Sequence, residues 1–71
     1  MEAKPEVKTL SERETEVLKL SAEGCGLKQI AILLNISEDT VDTHSRNVVS
    51  KLEVKNMKHA IATAIRKRII E

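Results

Sequence analysis

The stretch IAILLNISEDTVDTHSRNVVSKL, residues 30–52, decides how this chain folds. It opens with an apolar-rich run, Ile30 to Leu34, passes through Asn35-Ile36-Ser37, and continues as a longer segment to Leu52. Asn tolerates the left-handed backbone with which helices end. Ser37 suits the start of the next helix, its hydroxyl accepting from the amide of Thr40. The pattern therefore predicts two helices joined by a short link, which must cross and share one small core. Ala31 lets the second helix approach closely, and Val41, ten residues on, fills the contact. Ile30, Leu34, Ile36, Val48 and Leu52 complete the apolar set, with Val41, Val48 and Leu52 following the helical period.

The opposite face of the second helix carries Asp39, Asp42, Thr43, Arg46, Asn47 and Ser50. That is a hydrogen-bonding surface with one threonine methyl group on it. An α-helix fits the major groove of B-DNA, where such groups read base edges. The stretch thus predicts a helix-turn-helix with residues 38–52 as recognition helix. An ordinary helical hairpin with a solvated face has the same spacing, and the rest of the chain has to separate the two.

Seventy-one residues make one domain, which buries only about 60% of its unfolded surface. The chain has no Phe, Trp or Tyr, so its core is built from Leu, Ile, Val and Ala. It also lacks the stacking platform of many RNA and single-strand binders. The net charge of +1 does not by itself announce nucleic acid. Its distribution says more: residues 1–27 hold six acids and four bases, residues 28–71 five acids and eight bases. The C-terminal part is the side suited to face phosphates. Cys25 is alone, which fits a reducing compartment and a cytoplasmic location, and a small packing role fits it better than redox sensing. No run is long enough to span a bilayer, and Met1 leads into Glu2 and Lys4 rather than a signal peptide.

Residues 1–9, with Pro5 and scattered charge, read as a flexible tail or linker remnant, leaving residues 10–71 as the domain. Ser11 and Glu14 form a capping box that starts a first helix over about 12–23. Val17, Leu18 and Ala22 share a face of it, and Gly24 ends it. A second helix covers 27–34; Lys28 and Gln29 lie in its first turn, where free amides suit a phosphate. After the connector Glu53-Val54-Lys55, Asn56 caps a fourth helix over 57–70. In it Met57, Ile61, Ile65 and Ile69 repeat every four residues beside Ala60 and Ala64, enough apolar surface for nearly two partners. A symmetric dimer through Met57, Ala60, Ile61, Ala64 and Ile65 is the expectation. The fold class expected is all-α: a four-helix bundle containing a helix-turn-helix.

Several pieces in order, Leu10-Ser11-x-Arg13-Glu14-x-Glu16-Val17-Leu18, Gly24, Lys28-x-Ile30-Ala31, Leu34-x-Ile36-Ser37-x-x-Thr40-Val41-x-x-His44 and Lys51-Leu52-x-Val54, resemble the LuxR-type (GerE-like) helix-turn-helix family. The likeness runs from Leu10 to about Ile65. It implies a bacterial transcription regulator that binds double-stranded DNA sequence-specifically and dimerises on it through the fourth helix, as effector domains of response regulators do, with RNA polymerase as a further partner. Matched position by position, it implies base contacts from Asp42, Thr43 and Arg46. It implies phosphate contacts from Lys28, Thr40, His44, Asn47 and Lys51. Two residues depart from the pattern: Asp42 stands where the family is often basic, and Met57 where it often has arginine.

Catalysis is not expected. His44 and His59 fall on different helices without metal-ligand spacing, there is no glycine-rich phosphate loop, and Ser37 is occupied with capping; no cofactor or metal is implied. The rival readings are a protein-docking helical module, which Asp39 and Asp42 on the polar face would suit, and a sigma-factor-like promoter-reading domain.

Overall fold

The computed structural model describes residues 10–68 and residue 70. The expected tail, residues 1–9, and Ile69 of the apolar repeat lie outside the described residues. Four helices follow one another, α1 (Glu12–Ala22), α2 (Leu27–Leu34), α3 (Glu38–Leu52) and α4 (Met57–Arg66), and no strand occurs among the described residues. The all-α class is as the sequence predicts.

Each start has the cap its sequence provides. Ser11 Oγ accepts from the Glu14 amide at 3.1 Å while Glu14 Oε1 accepts from the Ser11 amide at 2.9 Å, closing the capping box. Ser37 Oγ accepts from the Thr40 amide at 3.1 Å, and Asn56 Oδ1 from the His59 amide at 2.8 Å. The ends share one device, a residue at positive φ that lets the next amides turn back onto the last carbonyls. Gly24 (φ +96°), Asn35 (φ +58°) and Glu53 (φ +56°) occupy it after α1, α2 and α3. After α2, for instance, the Asn35 amide bonds the Ile32 carbonyl at 3.2 Å and the Ile36 amide the Ala31 carbonyl at 3.0 Å. Glycine and asparagine take this conformation readily; glutamate does not.

The fourth helix is shorter than the expected 57–70. Lys67 caps it, and Arg68 takes up φ +62°. The chain then folds back: the Ile70 amide reaches the Ala64 carbonyl at 3.5 Å and Ile70 itself is buried. A continuing helix would not have brought Ile70 back beside Ala64.

The core has two parts, rather than the single one expected between α2 and α3. Val17, Ile30, Ala31 and Val41 join α1, α2 and the start of α3, with Leu20, Cys25, Leu34 and Ile36 around them. Leu18, Val48, Leu52, Ala60, Ala64 and Ile70 join α1, the rest of α3 and α4, with Leu10, Val54, Met57 and Ile61 around them. Adjacent residues of α1, Val17 and Leu18, therefore feed different clusters, and α3 threads through both. Val48 and Leu52 pack away from α2. Ala22, expected on the packed face of α1, is exposed.

Candidate nucleic-acid interface

The inner stripe of α3, Val41, Val48 and Leu52, is buried from one end of the helix to the other. This fixes the rotation of the helix about its axis, so its polar residues are held outward rather than free to choose. Thr43, Arg46, Asn47 and Ser50 are exposed and Asp42 is half-buried.

The three residues expected at base edges lie together on this face, but none is a bare side chain. Arg46, whose side chain is 79% exposed, is paired with Asp42, 47% exposed, one turn earlier: Nη2 stands 2.9 Å from Oδ2. Thr43 Oγ1 donates to the Asp39 carbonyl at 3.0 Å. Its proton is committed to the helix, which leaves it a lone-pair acceptor and a methyl group to offer. A shallow depression of about 320 Å³ runs beside Arg46 from Asp42 to Ser50 and on to Lys55, Asn56 and Met57. Lys55, exposed on its rim, was passed over in the sequence as part of a connector; a cation just beyond the recognition helix was the available signal.

The residues expected on phosphates fall into two groups. Lys28, at the start of α2, and Thr40, at the start of α3, are exposed near the turn, and the Thr40 hydroxyl lies 2.8 Å from Ser37 Oγ. His44, Asn47 and Lys51 follow one edge of α3, the edge toward α1. His44 is half-buried, and its Nδ1 is enclosed without a hydrogen-bond partner. A hydrogen on that nitrogen would be an unsatisfied buried donor, so the tautomer with the hydrogen on Nε2 is favoured.

Lys51 has a task within the protein that the sequence did not disclose. Its Nζ stands 2.9 Å from Glu14 Oε1, and the Glu14 side chain is only 6% exposed. Burial pushes the Glu14 carboxyl up. The bonds from Lys51, the Ser11 amide and Asn47 outweigh that and hold it below its ordinary range. One carboxylate therefore caps α1 and ties it to α3. The capping-box spacing fully accounted for Glu14 in the sequence, and nothing local pointed to a partner 37 residues away.

The expected dimer residues separate. Ala60 and Ala64 are completely buried in the protomer's own core, so they have no surface to give a second copy; the spacing that suggested an external groove serves α1 and α3 instead. Met57 and Ile61 are half-buried against the same cluster, and Ile65, 51% exposed, is the large apolar side chain of the set still facing outward.

Comparison with known proteins decides the family. Residues 8–64 match the family model described as bacterial regulatory proteins, luxR family. The chain belongs to that family. It resembles the oxygen regulatory protein NreC of Staphylococcus aureus, with 39% identity over 64 residues, 90% of this chain and 30% of NreC. The chain thus spans under a third of the length of that curated relative. The solved transcription factor GerE superposes with a TM-score of 0.83 at 35% identity, covering 87% of this chain and 92% of GerE. ChrA, the response regulator of a heme-sensing two-component system, gives a TM-score of 0.83 at 44% identity over 87% of this chain and 31% of its own. This LuxR-family chain is accordingly a helix-turn-helix domain of the transcription-regulator type, a DNA-binding rather than an enzymatic class.

Proposed function

We propose that the domain reads double-stranded DNA in a sequence-specific manner by placing α3 in the major groove. The observation that carries this is the fixed outward row of Thr43, Arg46 and Ser50 on a helix whose other side is clamped into both core clusters. Groove recognition needs such a rigid presentation, because a side chain can discriminate bases only if its position is set before contact. Arg46 is the base reader, its fork matching the two acceptors of a guanine edge. Thr43 meets a thymine methyl or a base amine. Lys28 and Thr40 hold the backbone on one side of the groove, and Asn47 with the outer nitrogen of His44 on the other. Two copies on neighbouring half-sites meet through the outer side of α4 at Ile65, with Met57 and Ile61 at its edge.

A mobility shift of labelled duplex at two salt concentrations tests the reading. DNA binding loses affinity as salt rises; a protein-docking module gives no shift at either. Arg46→Ala should cost about 1–3 kcal/mol on a preferred duplex and erase discrimination at one base pair. An equal loss on every sequence would demote Arg46 to a backbone contact.

A further inference from the structure

The Asp42–Arg46 pair needs an explanation. Asp42 puts a negative charge on the face proposed to approach phosphates, where an unpaired carboxylate is repelled. Within a groove it could accept a hydrogen bond from the exocyclic amine of cytosine. In the structure it forms an ion pair: Oδ2 lies 2.9 Å from Arg46 Nη2, an acid one turn N-terminal to its base, the favourable order on a helix. Arginine has five N–H donors in a rigid plane, and the ion pair meets that plane at Nη2 alone. The remaining donors still include what a guanine edge requires. Arg46 is also the most mobile kind of side chain to place at a reading position, long and 79% exposed, and holding it in one geometry on binding is costly in entropy.

We propose that Asp42 is a positioning residue for specificity: it reads no base itself but holds the Arg46 guanidinium so that its free edge is presented to one guanine. This rests on the reading of α3 as the groove helix. It accounts for the acid at that place, since the pair is neutral and the carboxylate is compensated before DNA arrives. It also sets a trade. Asp42 lowers attraction to any duplex while sharpening preference for one base pair.

The test uses the 71-residue chain and a random-sequence duplex pool, from which the wild type enriches its preferred duplex. Affinities for that duplex, its single-base-pair variants and an unrelated duplex are then measured for Arg46→Ala, Asp42→Asn, Asp42→Glu and Asp42→Asn/Arg46→Ala. Far-UV circular dichroism melts establish that each variant is folded. Arg46→Ala should flatten preference at one base pair. Asp42→Asn should reduce preference at that same pair by about two- to tenfold, the penalty of immobilising one long side chain on binding. It should at the same time bind the unrelated duplex more tightly. Asp42→Glu should restore the preference, and in the Arg46→Ala background Asp42→Asn should change it no further. A loss of discrimination at a different base pair, additive with Arg46→Ala, would overturn the proposal by making Asp42 a base reader in its own right. Unchanged preference in Asp42→Asn beside a flattened one in Arg46→Ala would overturn it while leaving groove reading intact. Preferences unchanged in Arg46→Ala as well would overturn both.

Discussion

Replacing Lys51 by methionine should loosen the attachment of α3 to α1 without touching either core cluster. The Glu14 carboxylate is 6% exposed and lies 2.9 Å from Lys51 Nζ. Without the lysine it would keep neutral donors only, the Ser11 amide at 2.9 Å and the Asn47 side chain. Removing one partner of a fully buried ion pair costs about 3–5 kcal/mol, because a charge is left uncompensated. Lys51 is 36% exposed, so water can replace part of what it supplies, and the cost should fall to about 1–3 kcal/mol. A domain of this size has a total stability of only about 4–10 kcal/mol. The midpoint of thermal unfolding should drop by about 5–20 °C, at about 4–8 °C per kcal/mol for a chain of this length. Glu14→Gln should cost about 1–2 kcal/mol, since the amide oxygen can still cap Ser11 but no longer carries charge. Glu14→Gln combined with Lys51→Met should cost less than the sum, with a coupling of about 1–2 kcal/mol. The chain has no aromatic residue, so unfolding has to be followed by far-UV circular dichroism in urea. A Lys51→Met cost below about 0.5 kcal/mol, additive with Glu14→Gln, would refute the reasoning and reduce the pair to a surface contact.

Acid should expose the same carboxylate: the native structure holds Glu14 below its ordinary range, so its contribution is complete above the unfolded value near about 4.3 and fades as pH falls further. Urea midpoints against pH should be flat in this component from pH 7 to about 5 and then decline, and Glu14→Gln should decline less steeply. Glu53→Gly should stabilise the domain by about 1 kcal/mol, because Glu53 sits at φ +56°, a conformation costly to glutamate and free to glycine; an unchanged urea midpoint would count against that strain. Ile65→Lys should leave the unfolding midpoint within about 0.5 kcal/mol, since this side chain is 51% exposed. It should nevertheless weaken two-copy complexes on a duplex carrying paired half-sites, and an equal yield of those complexes would remove Ile65 from the interface.

The parts of the fold legible in the sequence were those settled within one helical turn. Ser11, Ser37 and Asn56 cap because a short acceptor stands three residues before a free amide, and Asn35 and Gly24 terminate because few other residues accept a positive φ. The end of α4 was not legible: the Met57-Ile61-Ile65 repeat has no stop signal, and Arg68 is a poor residue for a left-handed turn. What overrides that local preference is burial of Ile70 against Leu18 and Ala64, a long-range effect. The same holds for Ala60 and Ala64. Small residues in a row indicate close approach but not whose helix approaches, and here it is the protomer's own. Lys51 was expected on a phosphate, since sequence shows charges and not their partners within the fold; Glu14, already explained by its cap, gave no hint that it reached further.

The pairing of charges bears on how tightly a single copy could hold DNA. The helix proposed to enter the groove has three acids, Glu38, Asp39 and Asp42, and two bases, Arg46 and Lys51, so its own formal charge is −1 with His44 neutral. Both bases are already paired with carboxylates of the same chain. A phosphate near Lys51 must compete with Glu14 at 2.9 Å, and a guanine must share Arg46 with Asp42. Long-range attraction therefore has to come from outside α3, from residues such as Lys28, Lys55 and Lys58. With both of its own bases paired, α3 itself would release fewer counterions than a basic recognition helix does, and its share of the salt dependence would be shallow. Under the proposed reading, a second protomer on a neighbouring half-site would bring a second Arg46 to the discrimination. If α3 reads the groove as proposed, its acidity would lower sequence-independent attraction, and the base contact of Arg46 would carry a larger share of what holds the domain on its duplex.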